Sequence, residues 1–189
     1  MIPTAPLRVR NRLAEIILAA LEKPEARREL TALVESDESP DWLEGDDLGC
    51  RPLVRARALS AQAALAARVP RPIRSRPDLL DAAATLFTAH LYFEAHELLE
   101  PSWREAEGDE REALQGLIQV AVGYQHLANG NFAGARALLE EGRRRIQGRT
   151  LDGLDLEKFG HGVGRSLDRL FHLDWETVPA FPRPEREIS

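Results

Sequence analysis

The sequence predicts an all-α protein of six or seven helices, built as stacked antiparallel helical hairpins in a repeat-like bundle, with no β-sheet. Three observations lead there. Alanine, leucine, arginine and glutamate dominate and β-branched residues are few, a composition that favours helix. Apolar residues recur three and four apart along most of the chain, the period of a one-sided helix face. Finally, "YFEAHELLE" (92–100) matches "FAGARALLE" (132–140) at an offset of forty residues. Tyr92 pairs with Phe132, Ala95 with Ala135, and Leu98, Leu99 and Glu100 with Leu138, Leu139 and Glu140. An aromatic, an alanine three on and paired leucines suit the second helix of a helix-turn-helix repeat as it packs on the first.

Each element follows in order. Leu13, Ile16, Ile17, Ala20 and Leu21 form the apolar stripe of a first helix over 6–22, which Pro24 follows by opening a second that fades near residue 35. Arg8, Arg10 and Arg12 before "LAEIILAAL" superficially suggest a signal peptide, but Glu15 interrupts a short run, so the chain is read as unprocessed, soluble and cytoplasmic. Around Trp42 and Leu43 lies an acidic stretch whose spacing fits no calcium loop; a solvated loop pinned by Trp42 is the economical reading. A third helix covers about 52–68. Pro70, Pro72 and Pro77 then forbid helix, while Arg68, Arg71, Arg74 and Arg76 keep the segment in water. The predicted organisation is an N-terminal helical segment (1–69), a Pro/Arg linker (70–77), a helical core (78–174) and an extended tail (175–189).

In the core, helices are expected over 79–89, from residue 92, over 109–128 and to about 147. The repeat sets a turn at His90–Leu91, matching the turn in which Gly130 takes a left-handed conformation and Asn131 caps the next helix. A last amphipathic helix uses Leu156, Phe159, Val163, Leu167 and Leu170. Gly116 and Gly123 would let a neighbouring backbone approach closely. Arg143 to Arg145 oppose the negative end of a helix dipole. His161 and His172 have no partner that marks them as functional.

"FEAHELLEPSWR" (93–104) carries the chemistry. His96, Glu97, Glu100 and Arg104 occupy a face that should continue apolar, because residues three and four apart are neighbours on a helix. Pro101 is expected to kink or end that helix by removing a bond to the Glu97 carbonyl. On the following helix Gln115, Gln119, Val122 and His126 form a polar stripe. An antiparallel pairing places Gln115 opposite Glu97, with a second polar layer around His90 and His126. Trp103 reads as a core or rim anchor. The cluster is expected to be largely buried, so Glu97→Gln should cost about 3–5 kcal/mol by stranding a cation.

Over about residues 79–148 the chain resembles a small all-helical family catalogued as domain of unknown function 309. The matching residues are Phe93-Glu94-Ala95-His96-Glu97, Leu99-Glu100, Trp103, Gln115-Gly116, His126 and Gly130-Asn131. An Asn-x-Gly turn usually precedes the aromatic pair in that family; here Thr88 and His90 stand in those places, so the turn lacks its glycine. The resemblance implies an all-helical fold and a shared polar cluster, without an established activity.

Two functional readings follow, beside a third in which the cluster is purely structural scaffold whose side chains satisfy one another. The first is a ligand- or partner-binding module built on the His/Glu/Gln/Arg cluster, with a small anionic ligand near Arg104 or a protein partner. The second is a metal-assisted hydrolase using His96, Glu97 and Glu100, in which His96 and Glu100, four apart, hold a divalent metal. The net charge of −6 argues against general affinity for nucleic acid or an anionic membrane. Cys50 is the single cysteine, which rules out an intrachain disulfide. A homo-oligomer is compatible with this composition.

Overall fold

The forty-residue repeat is visible in the backbone itself. In a computed structural model, which describes residues 5–184, two consecutive turns close the same way. Leu91 N–H donates to Leu86 C=O and His90 N–H to Phe87 C=O. Forty residues on, Asn131 N–H donates to His126 C=O and Gly130 N–H to Leu127 C=O. Both are Schellman closures, which need a left-handed residue just past the helix. His90 (φ 58°) and Gly130 (φ 77°) supply it. The turn without its glycine therefore keeps the full hydrogen-bond pattern and carries the cost in a strained histidine.

Around these turns the described residues form eight α-helices: α1 (Leu7–Glu22), α2 (Pro24–Glu35), α3 (Arg51–Leu65), α4 (Arg76–Thr88), α5 (Tyr92–Glu105), α6 (Gly108–Ala128), α7 (Phe132–Ile146) and α8 (Glu157–Asp168). Short 3-10 turns at Gly45–Cys50, Leu170–His172 and Trp175–Thr177 complete the chain. The helix count is one above the upper expectation. Two-residue strands, β1 (Thr150–Leu151) and β2 (Leu154–Asp155), pair antiparallel, so the expected absence of β-structure also needs correction. Asp152 and Gly153, both left-handed, make the two-residue connection. Asp-Gly between such strands is a strong hairpin signal, and "TLDGLD" carried it.

Helices α4 to α8 pack in sequence order, α1 to α3 pack on one another, and the contacts of α1 with α5 and α3 with α4 join the two sets. One hydrophobic cluster runs from Val9 to Phe181. At its centre the Phe87 ring meets Tyr92 (4.9 Å), Tyr124 (5.6 Å), Phe159 (5.8 Å) and Phe181 (5.1 Å). Between α6 and α7 the approach is closer than side chains permit. A Cβ on Gly116 would lie 2.9 Å from the Gly142 carbonyl oxygen, and one on Gly142 would lie 2.8 Å from that of Gly116. Gly123 faces Leu139 in the same interface.

Several charged and proline residues behave differently from their sequence reading. Arg68 is buried rather than wet, 2.5 Å from Asp81 of α4, and Arg183 reaches the other Asp81 oxygen from the tail. Pro77 sits inside the first turn of α4, where its missing N–H costs nothing, and Ser75 caps that helix. Arg71 N–H bonds the Leu21 carbonyl and Ile73 N–H the Glu22 carboxylate, tying residues 71–73 to the end of α1. Pro101 does not end α5, which runs one more turn to Glu105. There Arg111 donates to the carbonyls of Trp103 and Arg104, closing the helix end. Arg143 to Arg145 do lie in the last turn of α7; Arg144 and Arg145 bond Glu141 of the same helix, and Arg145 also links to Glu112 of α6. His161 and His172 are exposed.

Candidate functional site

The expected polar cluster does not stay together. His96, Glu97 and Glu100 do converge on one face of α5. His96 Nδ1 lies 3.4 Å from Glu97 Oε1, and its Nε2 lies 3.8 Å from Glu100 Oε2. One donor atom from each falls within 4.8 Å of the others, a donor set compatible with a divalent cation. These groups are half-buried rather than largely buried, with side-chain exposures of 21%, 37% and 27% for His96, Glu97 and Glu100. Glu100 also accepts from Arg104 Nη2 at 2.7 Å, so the exposed Arg104 is already held.

The other predicted residues lie apart. Trp103 is half-buried beneath the Arg111 guanidinium, 4.4 Å from its ring. Gln115 and Gln119 are half-buried on α6 and make no hydrogen bond to the α5 trio among the described residues. His126 belongs to the second turn, where Asn131 Nδ2 donates to its Nδ1 at 2.8 Å. His90 sits at the first turn.

A cavity of about 340 Å³ opens at the N-terminal end of α5, within the size range of small-molecule sites. Its apolar wall comes from Val9 and Leu13 of α1, Leu53 and Val54 of α3, Phe93 of α5 and Ala128 of α6. Trp175 forms another side, near His90 (5.7 Å) and Tyr92 (6.3 Å). Arg10, Arg57, His90, Tyr92, Gln125 and Asn129 add polar groups.

Their pairing defines the electrostatics. Arg57 donates to both oxygens of the buried Glu94, at 3.0 and 2.7 Å, and is thereby neutralised. Burial lowers the His90 pKa, which favours the uncharged ring at neutral pH. Arg10 lies over the Phe93 ring at 4.1 Å and bonds only the neutral Asn11 side chain, so it has no acidic partner among the described residues. Tyr92 is 1% exposed and its hydroxyl has no hydrogen-bond partner among the described residues. Burial, then the neighbouring Tyr124, raises its pKa and keeps it a neutral donor. Gln125 Oε1 is likewise buried and unsatisfied.

The sequence reading did not find this cavity, although a signal was present. Arg10 stands three residues before Leu13 on the apolar stripe of α1, the same anomaly that singled out His96 and Glu97. What the sequence could not supply was the pairing of α1 and α3 with the start of α5.

Residues 80–138 match the model of a family described as "Domain of unknown function (DUF309)". Over that segment the chain resembles DUF309. A Bacillus subtilis (strain 168) protein described as "Uncharacterized protein YpuF" is 36% identical over 93 residues, 48% of this chain and 52% of that protein. The chain thus spans about half the length of the curated relative it matches. No solved structure matches. The DUF309 segment holds the α5 trio and the α5–α6 side of the cavity, whereas Val9, Arg10, Leu13, Leu53, Val54 and Trp175 lie outside it. No helix of the described residues is long and apolar enough to cross a membrane.

Proposed function

We propose that this protein is a binding module, with its ligand seated in the cavity between α1, α3 and the DUF309 hairpin. The observation that carries the reading is the cavity itself, about 340 Å³ with a wall of Val9, Leu13, Leu53, Val54 and Phe93. Covering apolar wall with an apolar ligand is favourable by about 25 cal/mol for each Å² removed from water. The test is titration with N-phenyl-1-naphthylamine, a neutral apolar fluorophore, followed by energy transfer from tryptophan. Saturable binding to wild type, lost in a folded Ala128→Phe variant that fills the cavity, is expected. Undiminished binding to that variant, or none to wild type, overturns the reading.

A second reading, metal-assisted hydrolysis at His96, Glu97 and Glu100, is favoured by their converging donor atoms. It requires one-to-one zinc binding by calorimetry that His96→Ala abolishes; heat that is indifferent to this substitution excludes it.

A further inference from the structure

Resting on the binding reading above, we infer that the ligand is a small monocarboxylate with an apolar body. The carboxylate is assigned to Arg10. Its guanidinium lies on Phe93, so its face is occupied and its edges remain free to donate. The Nε and Nη2 atoms meet Asn11 Oδ1, at 3.3 and 3.2 Å, which leaves the Nη1/Nη2 edge for a bidentate partner. A planar carboxylate matches that edge, and the stacked, pre-positioned guanidinium loses little freedom on binding.

Charge sets the valence. Arg57 is cancelled by Glu94 and His90 favours its neutral form, so among the described residues Arg10 is the one uncompensated positive charge of the cavity wall. A monoanion neutralises it, whereas a dianion would bring a second charge into an apolar enclosure at a desolvation cost.

Size and polarity set the rest. A cavity of about 340 Å³ takes a small molecule, and its Val9, Leu13, Leu53, Val54 and Phe93 wall favours an apolar body behind the carboxylate.

The experiment compares octanoate and 1-octanol as displacers of bound N-phenyl-1-naphthylamine, at neutral pH, on wild type and Arg10→Gln. On wild type, octanoate should bind about tenfold more tightly than 1-octanol, the scale of one charge-assisted contact. Arg10→Gln should erase that ratio while 1-octanol binds as before. Equal affinities for octanoate and octanol on wild type, or a ratio that survives Arg10→Gln, overturns the inference while the binding reading stands. Failure of the fluorophore itself to bind overturns both.

Discussion

The close approach of α6 and α7 makes one substitution, glycine to alanine, act with opposite signs at two places. In Gly142→Ala the new Cβ would lie 2.8 Å from the Gly116 carbonyl oxygen, 2.8 Å from a Val120 methyl and 3.0 Å from the Val120 amide nitrogen. Two of these are backbone atoms of a helix that cannot swing aside, so the helices must part. Over-packing of this kind costs typically about 1–3 kcal/mol, more where the obstacle is backbone. Alanine returns about 1 kcal/mol through helix propensity. The expected net loss is about 1–2 kcal/mol, and with roughly 2–4 °C per kcal/mol at this chain length Tm falls by several degrees. Gly160→Ala is the internal control. Its Cβ would meet Ile146 at 3.6 and 3.7 Å, ordinary contact, so the propensity gain survives and Tm should rise by a few degrees. Differential scanning calorimetry of both variants decides the matter. A Gly142→Ala protein as stable as wild type would mean that α6 and α7 are not held at this distance.

Five further outcomes follow from contacts elsewhere in the fold. Asp81→Asn leaves the buried Arg68 without its counter-charge and should cost about 3–5 kcal/mol in urea unfolding; a loss under about 1 kcal/mol would refute the buried pair. His90→Gly relieves a left-handed histidine and should stabilise by up to about 1 kcal/mol, a gain that a lower Tm would deny. Because the folded pKa of His90 lies below its unfolded value, the unfolded chain binds the proton more readily and stability falls as pH drops through about 6.5; in His90→Gly the melting temperature should decline less on acidification. Glu97→Gln, with a half-exposed carboxylate beside an imidazole, should cost under about 1 kcal/mol rather than the several expected of a buried network, and a larger loss would restore that network. Tyr92→Phe deletes an unsatisfied buried hydroxyl and should raise the Tm of the ligand-free protein, whereas a fall would show that the hydroxyl is satisfied.

Legibility in the sequence tracked the range of the interaction. The turn at His90–Leu91 was readable because its cause lies within six residues and is repeated at Gly130–Asn131. Gly116 and Gly123 were readable because a small residue on a packed face has few other uses. Arg68 was misread because the segment's prolines and arginines describe solvent, and the carboxylate that draws Arg68 inward stands thirteen residues away on another helix. The α5 trio was placed correctly on one face, since helical spacing fixes that, but its burial depends on what α6 sets against it. Gln115 and Gln119 do not engage it, and it stays half open.

The two copies of the turn explain where a site can form. Both begin their second helix with an aromatic residue after the same backbone closure, and a bare repeat would treat them alike. Phe132 remains 38% exposed, its ring 5.2 Å from that of Phe171, whereas Tyr92 is 1% exposed. The difference is not local: α1, α3 and Trp175 surround the first copy and leave the second open. Surrounding apolar residues alone would stabilise the turn by burying surface, without calling for a hydroxyl, an amide carbonyl and an unpaired guanidinium in the same walls. Those polar groups offset part of the stability gained there. The N-terminal helices therefore do more than extend the hydrophobic core; they turn one of two equivalent helix starts into an enclosure with its own charge.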